Sequence, residues 1–197
     1  MKWVHLSALL LVIGLGLGTV VSCADDGDGD TGDDDAADDD TDDDAGDDGA
    51  DDDTAAFADL VWQDPPAEEK MTWNEAIEYC KYVSIDGHDE WRLPSISELR
   101  SLIRGCEATE LGGSCGVTDD CAESSCWSYA CHGCSSFGGP GGGGAYWPEG
   151  MSGEPDWYWS YSQIVDDDIR AWGGYFDVGG VGTFSFGAYN NVRCVRD

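Results

Sequence analysis

The segment CAESSCWSYACHGC, Cys121 to Cys134, places four cysteines and a histidine within fourteen residues. Thiolates and an imidazole at such spacings can hold zinc, exchange electrons as a dithiol, or be tied off as disulfides. A zinc site needs four ligands, usually as two short-spaced pairs held apart in the chain. Cys126, Cys131, His132 and Cys134 supply four candidate ligands, but His132 sits between two cysteines of one tight loop and no distant second pair follows. A redox dithiol would be Cys131-His132-Gly133-Cys134. Such a motif draws its low thiolate pKa from a helix N-terminus, and the surrounding glycines and serines predict no helix. Haem attachment requires histidine directly after the second cysteine, where Ser135 stands. Nucleophilic catalysis by a Ser-His-Asp set finds little material, because His5 lies in an apolar leader and His88 in a polar turn, DGHDEW. Which cysteine chemistry applies depends on the redox compartment, and the N-terminus speaks to that.

The chain begins Met1-Lys2, runs apolar from Leu6 to Val21 and reaches Cys23. A basic start, an apolar run and small residues before a boundary predict a secretory signal over residues 1–22. At about 16 residues the run is short for a membrane span, which needs about 20. Val20-Val21-Ser22-Cys23 resembles the lipobox of bacterial lipoproteins. That resemblance implies acylation of Cys23, a membrane anchor through its lipid, and, with Ala24 next, an outer-membrane destination. Export puts the other eight cysteines, Cys80, Cys106, Cys115, Cys121, Cys126, Cys131, Cys134 and Cys194, in an oxidising setting. An even number there implies disulfides.

Residues 25–53 contain 18 aspartates and no lysine or arginine, a large share of the net charge of −32. Such a segment cannot bury enough apolar surface to offset chain entropy, so residues 23–56 read as a lipidated cysteine followed by an extended acidic tether. The tether lacks the glycine that an EF-type calcium loop needs after its third acid, and the expectation is diffuse cation binding with no defined site. Residues 57–197 suffice for one domain with a core, and carry 23 acids against 8 bases. That balance disfavours nucleic acid, whose affinity rests on lysine and arginine neutralising phosphates, and disfavours sulfated polysaccharides likewise.

Within this domain, Leu60-Val61-Trp62 reads as an opening strand. In MTWNEAIEYC, Thr72 and Glu75 form a capping box, while Trp73, Ala76, Ile77 and Cys80 recur at helical spacing, putting Cys80 on the buried face. A second helix follows Pro94 in WRLPSISELRSLI, capped by Ser95 and Glu98. Ile96, Leu99 and Ile103 should face inward there, and Arg100 and Arg104 outward. Residues 105–150 hold six cysteines and the run Gly141–Gly144, and read as an irregular insertion without a core of its own, stapled by disulfides. Short aromatic and β-branched stretches then follow at 157–165, 170–178, 182–186 and 191–196. Alternation in the first sets Trp157, Trp159 and Tyr161 against Tyr158, Ser160 and Ser162. Two helices followed by hairpin-linked strands indicate an α+β fold with a twisted antiparallel sheet.

The segments LVWQD, MTWNEAIEYC, WRLPSISELRSLI, YWSYS, AWGGYFDVGGV and VRCVR, in this order, resemble the Lcl C-terminal domain family, also called DUF1566. They span residues 60–104 and 157–197, and the cysteine-rich insertion has no counterpart among them. The resemblance implies a C-type-lectin-like fold, with a disulfide between the first helix and the last strand, here Cys80 to Cys194. That leaves six cysteines with 15 possible pairings. It also implies ligand binding at a cell surface, with a glycan or protein as the unknown partner and no catalytic residue or cofactor. Calcium-dependent sugar binding in C-type lectins uses Glu-Pro-Asn or Gln-Pro-Asp, then Trp-Asn-Asp. Glu154-Pro155-Asp156 approximates the first triplet and nothing matches the second, so Glu154 and Asp156 are weak calcium candidates. WRLPSISEL also resembles a stretch of formylglycine-generating enzymes, which makes an oxidase using Cys194 one alternative and a structural envelope protein another. For sugar stacking the candidates are Trp147, Tyr158, Trp172 and Tyr175; separately, Trp127, Tyr129 and His132, exposed by the staples, are expected to give the loop a ligand-binding specificity of its own through shape.

Overall fold

The computed structural model describes residues 57–197. The signal segment, Cys23 and the acidic run lie outside the described residues. The first strand, β1 (Val61–Trp62), pairs antiparallel with the last, β5 (Val195–Arg196), Val61 opposite Arg196 and Trp62 opposite Val195. The two ends of the domain are thereby brought side by side. Arg92 bridges to the other side of Val195.

Helix α1 (Trp73–Tyr82) starts where the capping box requires. The Glu75 carboxylate accepts from the Thr72 amide at 2.9 Å and its hydroxyl at 2.6 Å, satisfying donors that the helix's own ladder leaves free. Its inner face buries Trp73, Ala76 and Cys80. Helix α2 (Ile96–Arg100) is a short five-residue segment. Ser95 Oγ accepts from the Glu98 amide at 3.2 Å, and the Glu98 carboxylate accepts from the Ser95 amide at 2.7 Å. The same carboxylate takes both ends of the Arg92 guanidinium, at 2.7 and 2.6 Å.

Strands β2 (Trp157–Gln163), β3 (Arg170–Tyr175) and β4 (Gly180–Ser185) form an antiparallel meander, with an irregularity in the β2 register between Trp159 and Gln163. The sheet is covered on both faces. Trp172, Val181 and Tyr158 point into a core shared with Ile96, Leu99 and Ile103. Ala171 and Trp159 point into a second core, with Trp73, Ala76, Trp91 and Val192. Both alternating sets of β2 are therefore buried at its centre, where Tyr158, Trp159 and Ser160 are all inaccessible. Ser160 is satisfied there: its hydroxyl donates to the Trp172 carbonyl at 2.8 Å, and its carbonyl accepts from the Trp73 indole at 2.9 Å.

The described domain thus combines two helices, antiparallel sheets and disulfides, as the sequence suggests. One expectation needs correction. The insertion builds no separate core but packs into that of the domain, where Cys115, Val117, Cys131, Tyr146 and Trp147 join Ile96 and Leu99 of α2. Arg100 therefore does not face outward beside Arg104. The insertion lies over what would have been the solvent face of α2, and Arg100 is 1% exposed. Among the described residues no carboxylate pairs with it. Its Nε donates to the Thr109 carbonyl at 3.0 Å, its Nη2 to that of Glu110 at 2.8 Å and its Nη1 to that of Val117. Burial away from water pushes the guanidinium pKa down to about 10, because desolvation disfavours the charged form.

Two of these carbonyls, those of Thr109 and Val117, have no other donor among the described residues, whereas that of Glu110 also accepts from the Gly113 amide at 3.0 Å. Arg100→Met should therefore lower unfolding free energy by roughly 2 kcal/mol, at about 1 kcal/mol per orphaned acceptor. Arg100→Lys should not restore it, since an ammonium cannot span three diverging acceptors as a planar fork does. Denaturant titration of the three proteins measures both effects.

Candidate functional site

Four disulfides close the domain. Cys80 on α1 is bonded to Cys194 just before β5, across a separation of 114 residues. Cys106 pairs with Cys134, Cys115 with Cys131, and Cys121 with Cys126. The two cysteines of Cys131-His132-Gly133-Cys134 therefore belong to different bridges and form no dithiol. The same bonds occupy every sulfur that the zinc reading would use, and Cys194, on which the oxidase alternative leans, is bonded to Cys80. Gly133 lies between two bridged cysteines at φ +89°, and a β-carbon there would come within 2.3 Å of the Val178 carbonyl. Only glycine lets the loop run this close to the β3–β4 turn.

The staples present the segment from Ser124 to His132 as two 3₁₀ turns, Ser124–Cys126 and Tyr129–His132. Trp127 stands between them. Its indole N–H donates to the Val181 carbonyl of β4 at 2.9 Å, which orients the ring against the sheet edge. From below, the buried Trp172 indole donates to the Ala122 carbonyl at 2.9 Å. From the β2–β3 turn, Asp166 accepts from the Ser124 amide at 2.8 Å and its hydroxyl at 2.5 Å.

Between this loop and the sheet opens a cleft of about 270 Å³, lined by Ser124, Trp127, Ile164, Arg170, Trp172 and Thr183. Trp127 forms an aromatic wall, and the buried Ile164 and Trp172 close the cleft from beneath as an apolar floor. Arg170 supplies the polar side, donating to Asp167 at 2.7 Å through Nε and to the Thr183 hydroxyl at 3.3 Å through Nη1. Hydrogen bonds from the Ser124 hydroxyl and amide hold the Asp166 carboxyl below the usual range, and the Ile169 amide and Arg170 do the same for Asp167. Both acids therefore stay ionised beside the cleft at neutral pH. Outside the wall, His132 packs against Trp127 and Tyr129, each with ring centres 4.8 Å apart. Tyr129 is 86% exposed.

The other sequence candidates fall elsewhere. Trp147, Tyr158 and Trp172 offer no stacking surface to solvent, because each is a buried core side chain. Trp147 and Tyr158 instead flank the buried Arg193 guanidinium at 5.5 and 5.7 Å. Tyr175 is half-buried and stacked on Trp157, with ring centres 4.6 Å apart and planes 10° from parallel. The Asp156 carboxylate accepts from Lys70 at 2.5 Å and from the Trp157 amide at 2.8 Å. Among the described residues no group of three or more histidines, cysteines or acids is arranged to hold a metal. Arg170, Thr183, Ser124 and Ile164 escaped the sequence reading, because the cleft arises where the insertion meets the sheet. The one available signal was alternation, which sets Arg170 and Trp172 on one face of β3.

The family model described as the Lcl C-terminal domain matches residues 56–196. No match is found among curated proteins.

The bridges differ in access to solvent: Cys121 is exposed and Cys126 half-buried, whereas each other bridge has at least one buried cysteine. Under limiting reductant, Cys121 and Cys126 should be the first pair alkylated, as read by peptide mass spectrometry. Replacing both with serine should cost only about 2 kcal/mol, because the loop they close is short.

Proposed function

The chain belongs to the Lcl C-terminal domain family, and from that premise we propose that it is a cell-envelope lipoprotein presenting a C-type-lectin-like binding domain whose ligand seat is the cleft walled by Trp127. The observation that carries the reading is that cleft. An aromatic face, an apolar floor and a few fixed polar groups around one concavity are the usual make-up of a small-ligand site. Trp127 is held by its own hydrogen bond and by bridged cysteines, so little side-chain order has to be gained on binding.

The envelope assignment is supported by two independent features. The lipobox-like Val20-Val21-Ser22-Cys23 implies export and acylation at Cys23. The four disulfides of the described domain suit an oxidising compartment. The adjoining acidic run would then serve as the tether between anchor and domain. A pyranose ring is the ligand that best matches the cleft. Its apolar face can lie on an indole, while hydroxyls reach Arg170 and Thr183. Binding needs no catalysis, no resident cofactor and no nucleic acid.

A glycan array probed with the wild-type domain and Trp127→Ala, with and without calcium, tests this. Wild type should bind a defined glycan set, and the variant should lose roughly 2 kcal/mol of affinity, the usual scale for an anchoring aromatic, at little cost in unfolding midpoint. Binding should survive chelation, because the cleft lining supplies no carboxylate ligand. Unchanged binding by Trp127→Ala would place the ligand elsewhere.

A further inference from the structure

A second concavity lies between α1, the segment leading into α2, and the exposed part of β2. It holds about 290 Å³ and is lined by Ile77, Lys81, Trp91, Arg92, Leu93 and Tyr161, with Ser95 at one edge. Its floor is apolar and fixed: Trp91 and Leu93 are nearly inaccessible core residues. The Trp91 indole donates to the His88 carbonyl at 3.1 Å, which leaves no polar group of that ring to satisfy. Tyr161 forms a wall that is 58% exposed although its ring stacks on Trp73, with centres 6.1 Å apart.

The polar groups around this notch are almost all engaged. Arg92 is neutralised by Glu98, at 2.7 and 2.6 Å, and by Asp197 at 3.0 Å. The Ser95 hydroxyl donates to Asp119 at 2.6 Å. Lys81 is different. It has no carboxylate within ion-pair distance among the described residues, and its ammonium lies 5.2 Å from the Tyr82 ring centre. In a domain of 23 acids and 8 bases, this places a cation without a carboxylate partner among the described residues at the lip of an apolar notch whose lining holds no acid. An apolar concavity with a polar group at its lip has the general make-up of a small-ligand pocket.

We propose that this notch is a second binding site, taking a small monocarboxylate with an aryl or branched aliphatic body. The body fills the space between Trp91, Leu93, Ile77 and Tyr161, and the carboxylate meets the Lys81 ammonium. Volume sets the size class: about 290 Å³ is at the lower limit for ligand pockets, which suits one ring or a short branched chain and no longer peptide. Charge sets the head group. A neutral ligand would leave Lys81 unmatched, and a cationic one would be repelled by it.

The test is calorimetric titration of the described domain with phenylacetate, 4-methylpentanoate and indole-3-propionate, each beside its uncharged primary amide. At least one carboxylate should bind saturably and about tenfold more tightly than its amide, with the preference shrinking as salt rises. Lys81→Ala should remove the acid-over-amide preference. Tyr161→Ala should weaken both members of a pair. Absence of saturable binding by all six compounds would overturn the proposal, as would equal affinity for acid and amide. A preference that persists in Lys81→Ala would also overturn it. Trp127→Ala, which alters only the other cleft, should leave these affinities unchanged. An effect there would show that the carboxylate occupies the first cleft and would equally overturn the assignment.

Discussion

A stretch of chain with neither strand nor extended helix must obtain its order from something other than a hydrogen-bonded ladder. Fixing each residue's backbone costs on the order of 1–2 kcal/mol, and in residues 105–150 only three isolated 3₁₀ turns contribute regular hydrogen bonding. Three disulfides, closing separations of 28, 16 and 5 residues, supply the constraint. Cys106, Cys115 and Cys131 are themselves core side chains, so the bonds both limit the unfolded chain and bury apolar surface in the folded one. Everything that distinguishes this domain, including the wall of its cleft, rests on that covalent frame.

Two arginines complete what the disulfides begin. Arg100 gathers the carbonyls of Thr109, Glu110 and Val117. Arg193, equally buried, reaches the Gln63 carbonyl at 2.7 Å, Asp64 at 3.1 Å and the Ser152 carbonyl, with its plane near the Trp147 and Tyr158 rings. Each therefore ties an irregular segment to the regular elements through a rigid fork of donors. Placing two of eight bases inside the domain leaves the surface strongly acidic. Two aromatic residues that look like ligand platforms in the sequence, Trp147 and Tyr158, pack around the Arg193 guanidinium instead.

The parts legible in the sequence are those governed by local rules. The Thr72–Glu75 and Ser95–Glu98 boxes locate both helix starts, and 3.6-residue spacing places Cys80 inward, where it meets Cys194. Strands β2 to β4 follow from their aromatic and β-branched runs, whereas the stretch 191–196 forms a strand only at Val195–Arg196 and pairs with β1 in a separate sheet. What the sequence hides is non-local. Alternation separates Tyr158 from Trp159 correctly, but only the second core explains why both are buried. The outward reading of Arg100 fails because the insertion folds over α2, and no periodicity announces that. The cleft is illegible for the same reason, since Trp127 and Arg170 become neighbours only through the bridge pattern, which the spacing of six cysteines does not select.

The central claim, that a specific disulfide frame builds the loop and its cleft, is tested most directly by peptide mapping of the non-reduced protein by mass spectrometry. The account predicts four cross-linked peptide pairs, Cys80 with Cys194, Cys106 with Cys134, Cys115 with Cys131 and Cys121 with Cys126, and no alkylatable thiol among these eight residues. Free thiols, bound zinc, or a Cys131–Cys134 bridge would contradict it.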